Sequence, residues 1–230
     1  MITENLCKVR ENIVASLQKR RSELSGDSVT LIAVTKNHPA PRAQAAIDAG
    51  VTDIGENRVQ EAKEKFPSLT GTFTRHLIGH LQTNKAKLAV EYFDLIHSVD
   101  SEHLAAAIDS AAAKLGKIQD ILIQVNLAEE VQKSGVYAKD LPSLADFVDN
   151  LPHLRLCGFM LMAPAYDNVE NCRPLFQKMY EIFQRSKEKS WSRANIKYLS
   201  MGMSNDYRIA VEEGANMVRV GTAIFGQREY

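Results

Sequence analysis

Eight short apolar runs recur along the chain, each separated from the next by a stretch with helical spacing. This alternation limits the fold more than any other feature. The runs are LIAVT (31–35), DIG (53–55), RHLIG (75–79), DLIHSV (94–99), DILIQVN (120–126), LRLCGFMLM (154–162), KYLSM (197–201) and MVRVG (217–221). Strands alternating with helices call for a parallel sheet, and right-handed crossovers leave few ways to connect it. Eight βα repeats in about 200 residues fit a closed (β/α)8 TIM barrel of the α/β class. An open doubly wound sheet is the other option, and the lack of a GxGxxG turn after the first run counts against it.

The intervening stretches carry helix punctuation. Leu6, Val9, Ile13 and Leu17 predict an extra amphipathic helix before the barrel, from about residue 4 to about residue 24, stopping near Gly26. Ser101 is placed to cap a helix with Leu104, Ile108, Ala111 and Leu115 on one face, closed by Gly116. Asp140 precedes Leu144, Phe147 and Val148, and the stretch 171–187 aligns Phe176, Met179, Tyr180 and Phe183. Ser204 is expected to cap a helix ending before Gly214. A chain of 230 residues is long enough for one barrel core, and no linker or low-complexity segment divides it. Residues 1–230 are therefore expected to form a single domain.

Charge and cysteine content exclude several functions. Lys+Arg and Asp+Glu are equal at 28 each, which argues against an electrostatic grip on nucleic acid or an anionic membrane. No apolar run approaches the ~20 residues needed to span a bilayer, and the opening MITENLCKVRENIV has charges where a signal peptide needs apolar residues. Cys7, Cys157 and Cys172 are odd in number and scattered, a poor disulfide framework and a poor zinc site. A cytoplasmic location is expected.

In such barrels chemistry gathers at the C-terminal ends of the strands. Ile32, Val34 and Lys36 share one face of the first run, so an inward face puts the Lys36 amine at the barrel mouth. Desolvation there would free the amine as a nucleophile for imine formation; a snorkelling lysine at a strand end is the plainer reading. Arg219 alternates with Val218 and Val220, so its guanidinium points inward if the valines pack under the helices. It then needs acceptors, either a ligand or an inward carboxylate such as Glu56. The glycine-bearing turns 200–204 and 221–223 follow the seventh and eighth runs, where barrels often hold phosphate. His76 and His80 are four apart but lack an HExxH pattern, so no metal site is expected. His38, His97, His103 and His153 read as surface or structural residues, Gln124 and Asn126 as polar lining of the mouth, and Met160 and Met162 as core filler.

A reactive lysine, a buried arginine and a phosphate cradle together fit one cofactor, pyridoxal 5′-phosphate (PLP). The chain also resembles the pyridoxal-phosphate homeostasis proteins, relatives of the alanine racemase N-terminal barrel, over nearly its whole length. The residues that carry the resemblance are AVTKNHP (33–39), GENRVQE (55–61), HLIGHLQTNK (76–85), HSVDS (97–101), QVNLAEEVQKSG (124–135), GFMLMAP (158–164), LSMGMSNDY (199–207) and VRVGTAIFG (218–226). The sequence departs from the family pattern at His80, where proline is usual, and at Asn37–His38.

The resemblance implies that Lys36 carries PLP as an internal aldimine and that Arg219 meets the pyridine nitrogen. It implies that Ser204 and the backbone of Gly221 and Thr222 bind the phosphate, with Ser200 and Gly202 as neighbours, and that Asn57 lies beside the ring. An arginine at the pyridine nitrogen leaves that nitrogen unprotonated and makes the ring a poorer electron sink. Related racemases add a second base, a tyrosine from a β-rich domain, and this chain ends at Tyr230 soon after the last run. The expectation is a monomeric PLP carrier that limits free aldehyde, serves PLP-dependent apoenzymes and racemises amino acids poorly. Two alternatives stay open: a PLP-dependent racemase or lyase using groups such as His80 or Tyr166, and a barrel aldolase whose Lys36 reacts with a phosphorylated sugar.

Overall fold

A computed structural model of the chain describes residues 1–21, 26, 28–130 and 132–227. Eight parallel strands close into a barrel in chain order: β1 Thr30–Val34, β2 Asp53–Glu56, β3 Thr74–Leu77, β4 Leu95–Val99, β5 Gln119–Val125, β6 Leu154–Leu161, β7 Tyr198–Met203 and β8 Met217–Val220. Closure is made by β1 against β8, in register from Thr30↔Met217 to Ala33↔Val220. Each of the eight apolar runs overlaps one of these strands to within one or two residues at its ends, and the doubly wound alternative falls away.

The helices outside the barrel are α1 Ile2–Gln18, α2 Ala40–Asp48, α3 Val59–Lys65, α4 Ala86–Tyr92, α5 Glu102–Lys114, α6 Leu141–Asp149, α7 Arg173–Glu188, α8 Tyr207–Glu212 and α9 Thr222–Phe225. Helix α1 buries Leu6, Val9 and Ile13 and packs on α8 and α9. It ends earlier than its sequence suggests: the apolar face stops at Leu17, and the Lys19 N–H turns back to Ser16 O. Positions 22–24 of the expected helix lie outside the described residues. Ser101 caps α5 as anticipated, its Oγ accepting from Leu104 N–H at 3.3 Å. Helix α7 buries the expected Phe176, Met179, Tyr180 and Phe183. Ser204 does not cap α8, which starts three residues later; Asp206 Oδ1 instead accepts the Met203 N–H at 2.5 Å.

Alternation along the strands divides the core in two. Ala33, Ile54, Leu77, Ile96, Val218 and Val220 face outward and pack under the helices. Ile32, Leu95, Leu122, Cys157, Met160 and Met217 form a separate cluster in the lumen. Burying a side chain of this size contributes about 1.5–3 kcal/mol each. The β5–β6 register shifts after Ile121↔Leu156 so that Leu122 pairs with Gly158. That bulge lets both Cys157 and Met160 point into the lumen. Only glycine fits the bulge: Gly158 has φ +143°, and a Cβ there would lie 1.9 Å from Tyr198 O. Cys7, Cys157 and Cys172 are all free thiols. Among the described residues no helix is long and apolar enough to cross a membrane.

Candidate functional site

The C-terminal ends of the strands surround a cavity of about 780 Å³. Lys36, Asn57, Ser204, Arg219, Gly221 and Thr222 all line it. Ser200 and Gly202, the other two residues singled out from the sequence, do not.

Lys36 sits in a tight turn just past β1. Thr35 N–H donates to Gly55 O at 3.0 Å, carrying the β1–β2 pairing one residue further, and His38 N–H donates back to Thr35 O at 3.0 Å. Asn37 adopts a left-handed φ of +61°, a conformation its short polar side chain tolerates. Its N–H donates to Glu61 Oε1 at 2.6 Å. From outside the barrel, Lys65 Nζ donates to Thr35 O at 2.8 Å, to Glu56 Oε1 at 2.6 Å and to Glu61 Oε1 at 2.9 Å. Thr35 Oγ1 also donates to Glu56 Oε1, at 2.5 Å. The backbone on both sides of Lys36 is thus held by one buried charged cluster on β2 and α3. Burial pushes the Glu56 carboxyl above its ordinary pKa, even though Lys65 and Thr35 pull the other way. Glu56 is therefore not the inward partner considered for Arg219. Strand β2 alternates Asp53 and Gly55 inward with Ile54 and Glu56 outward, and the apolar Ile54 already signals that phase.

Arg219 is almost fully buried on the inner face of β8. Its Nη1 donates to Ser200 Oγ at 2.7 Å and its Nη2 to Leu161 O at 2.9 Å. Burial pushes the guanidinium pKa down to about 10, opposed by the charge of Asp206. Ser200 lies behind this guanidinium, away from the cavity surface. Gly202, at φ +96°, brings β7 against α8: a Cβ there would come within 2.6 Å of Ala210 Cβ and 2.8 Å of Tyr207 Cα. Its role is close packing.

Ser204 Oγ accepts from the N–H groups of Gly221 at 3.1 Å and Ala223 at 3.3 Å. The hydroxyl hydrogen is left to donate toward the cavity, beside the first turn of α9. Asn57 is fixed by the approach of the next strand end, since a Cβ on Gly79 would lie only 2.3 Å from Asn57 O.

Of the neighbouring polar residues, His38 and His80 lie at the mouth, whereas Gln124 and Asn126 were misplaced from sequence. His38 lines the cavity, with its ring 4.8 Å from that of Phe225. Its position two residues after Lys36 was the available signal. His80 stands on the rim with Nδ1 3.2 Å from Ser134 Oγ, whereas His76 points into the lumen between Asp53 and His97. His97 is fully buried there. Gln124 and Asn126 do not line the cavity; they tie down the following loop through Ser134 O and Glu130 O, each at 2.9 Å. Among the described residues no cluster of three or more His, Cys, Asp or Glu could hold a metal ion.

A closed parallel barrel with Lys36, Arg219, Ser204, Gly221 and Thr222 converging at its C-terminal mouth defines the class of the alanine racemase N-terminal domain. That family matches residues 8–229. The pyridoxal phosphate homeostasis protein of Escherichia coli (strain K12) is 40% identical over 235 residues, covering 100% of this chain and 97% of that protein. Structures of PipY from Synechococcus elongatus PCC7942 are 38% identical and cover 98% of this chain and 100% of theirs; the TM-score is 0.87 without PLP and 0.82 with PLP bound. The chain belongs to the pyridoxal phosphate homeostasis protein family.

Proposed function

We propose that this chain binds PLP in the cavity at the barrel mouth and serves PLP homeostasis. The observation that carries the reading is the convergence of Lys36, Arg219 and the Ser204–Gly221–Thr222 turn on one cavity. The donor set suits the cofactor: an amine for an aldehyde, a guanidinium for a ring nitrogen, and a hydroxyl beside backbone N–H groups for a phosphate. Lys36 would supply the amine that meets the aldehyde. Arg219 would donate to the ring nitrogen, Ser204 and Thr222 would hold the phosphate while the Gly221 N–H fixes the Ser204 hydroxyl, and Asn57 would border the ring. Ser200 acts through Arg219, and Gly202 through the packing of the turn. PLP supplies a reversible electrophilic carbonyl conjugated to an aromatic ring.

The reading extends to a carrier that racemises amino acids weakly and passes PLP to dependent apoenzymes. Racemisation needs a base on each face of the substrate. Tyr166 is 38% exposed at the rim, and His80 is engaged with Ser134, so neither is held as such a base would be. The exposed rim offers an apoenzyme a way in.

Absorbance near ~420 nm that disappears in Lys36→Ala, with borohydride trapping PLP on Lys36, is the expected result. A wild-type protein that shows no such band and traps nothing refutes the site. Incubation with amino acids in deuterated water tests the carrier role: exchange at Cα faster than about 1 s⁻¹ would mark an enzyme instead.

A further inference from the structure

A polar thread runs through the lumen beneath the cavity. Asp53 opens β2 at the N-terminal foot of the barrel. His76 Nε2 lies 2.9 Å from Asp53 Oδ1, and His76 Nδ1 lies 3.0 Å from His97 Nε2. His97 Nδ1 lies 3.1 Å from Ser200 Oγ, the atom that accepts from Arg219 at 2.7 Å. Five residues on β2, β3, β4, β7 and β8 thus link the foot of the barrel to the cavity without a gap. Around them the lumen is filled by Ile32, Leu95, Leu122, Cys157, Met160 and Met217. A break in the thread would strand a buried polar group among apolar neighbours.

The hydrogens have one consistent arrangement when both rings are neutral. Burial raises Asp53, but hydrogen bonds from His76 and Thr52 outweigh it and keep the carboxylate ionised. A carboxylate only accepts, so His76 carries its hydrogen on Nε2 and offers Nδ1 as an acceptor. His97 must then donate through Nε2. Burial, with His76 and Arg219 nearby, holds His97 well below its ordinary pKa, so its Nδ1 accepts from the Ser200 hydroxyl. Ser200 keeps its lone pairs for Arg219, which can only donate. Every hydrogen therefore points toward Asp53, and the charges at the two ends fix both tautomers. Hydrogen bonds aligned in this way polarise one another.

We propose that His76, His97 and Ser200 are positioning residues linking Arg219 to Asp53, so that a carboxylate at the foot of the barrel sets the aim of the guanidinium at the cofactor cavity. The proposal rests on the PLP site described above and adds a remote determinant to it.

The test compares wild type, Ser200→Ala, Asp53→Asn and the double variant as full-length proteins. The measurements are the PLP dissociation constant, the position of the visible band and the melting temperature. Loss of a hydrogen bond to a charged group predicts roughly ten- to hundredfold weaker PLP binding in Ser200→Ala. Asp53→Asn touches neither Arg219 nor the cavity, yet should weaken binding about threefold or more and move the band in the same direction. The double variant should bind no more weakly than Ser200→Ala, because the thread is already cut. A melting temperature that falls in Asp53→Asn while affinity and band stay at wild-type values overturns the link, as do losses that simply add. Imidazole ¹⁵N shifts judge the link without cofactor. Both rings should carry hydrogen on Nε2, and Asp53→Asn should disturb His97, which it does not touch. An undisturbed His97 refutes the link even if PLP binds; a disturbed His97 supports it even if the visible band is absent and the site reading has failed.

Discussion

Replacing Lys65 with Met removes the cation that holds the turn before Lys36, and the structure sets the size and pH dependence of the loss. Lys65 is 6% exposed and Glu56 0% exposed, and they meet at 2.6 Å. This is a buried pair, not a surface pair worth about 0–1 kcal/mol. Removing one partner of such a pair costs about 3–5 kcal/mol, since the other charge is left without compensation. Met has similar bulk, so the cavity contribution stays small. Glu56 Oε2 already lacks a hydrogen-bond partner in the structure, and Thr35 remains the only other donor described on Oε1. In a chain this long each kcal/mol shifts the melting temperature by about 2–4 °C, which predicts a drop of roughly 6–20 °C near pH 8.

The sign of the pH effect follows from Glu56. Its folded pKa is raised by burial, so the folded protein binds more protons than the unfolded chain just above the ordinary carboxylate range. Stability from this group therefore falls as pH rises through that window. Lys65 lowers the folded pKa by its charge and its hydrogen bond, and Lys65→Met removes both, extending the window upward. The deficit of the variant should be larger at pH 8 than at pH 5, where Glu56 can take up a proton and become neutral. Thermal melts followed by circular dichroism at the two pH values measure it. Equal deficits, or a larger one at pH 5, would refute the assignment of this cluster as a buried ion pair.

Other outcomes follow from single contacts. Gly79→Ala forces a Cβ to within 2.3 Å of Asn57 O, so the backbone must move; a loss of about 1–3 kcal/mol and weaker PLP binding are expected by melting and titration. Asp149 accepts from the N–H groups of Ser192 at 2.7 Å, Arg193 at 2.8 Å and Ala194 at 2.7 Å. Burial raises its pKa, but those bonds outweigh it and the net shift is downward, giving stability present above the unfolded carboxylate pKa and lost as pH falls through the folded value. Asp149→Ala should therefore lower stability by about 1–3 kcal/mol at pH 7, with the difference from wild type closing in acid.

The strands and the inward aim of Arg219 were legible because period-two alternation is a local property. Val218 and Val220 pack under the helices, and Arg219 has one direction left. The same rule applied to Ile54 would have turned Glu56 outward toward Lys65. The Lys65 cluster itself was harder to read, since Glu56 and Lys65 are joined only when α3 folds back on β2. The lumen thread was not legible at all. His76, His97 and Ser200 lie 21 and 103 residues apart in sequence, and their meeting depends on the stagger between neighbouring strands. Ser204 was misread as a helix cap for a related reason: the turn after β7 continues to Asp206, where Met203 N–H is satisfied, and the serine instead accepts from Gly221 and Ala223 just past β8.

The barrel wall separates two demands that would conflict in one place. Alternation sends Thr35 outward and Lys36 toward the mouth, so the charged cluster that fixes the turn lies under α3 and takes no space from the cavity. Arg219 is held from the opposite side by a thread that stays within the lumen and ends at a carboxylate near solvent. A carboxylate placed directly against Arg219 would have filled the site and competed with any ligand for its donors. Moving that charge to the foot of the barrel leaves donors of a buried guanidinium free to meet a ligand, while its remaining hydrogen bonds are satisfied without water. Damage to the outer cluster should therefore register first in stability, and damage to the thread first in how the cavity holds its ligand.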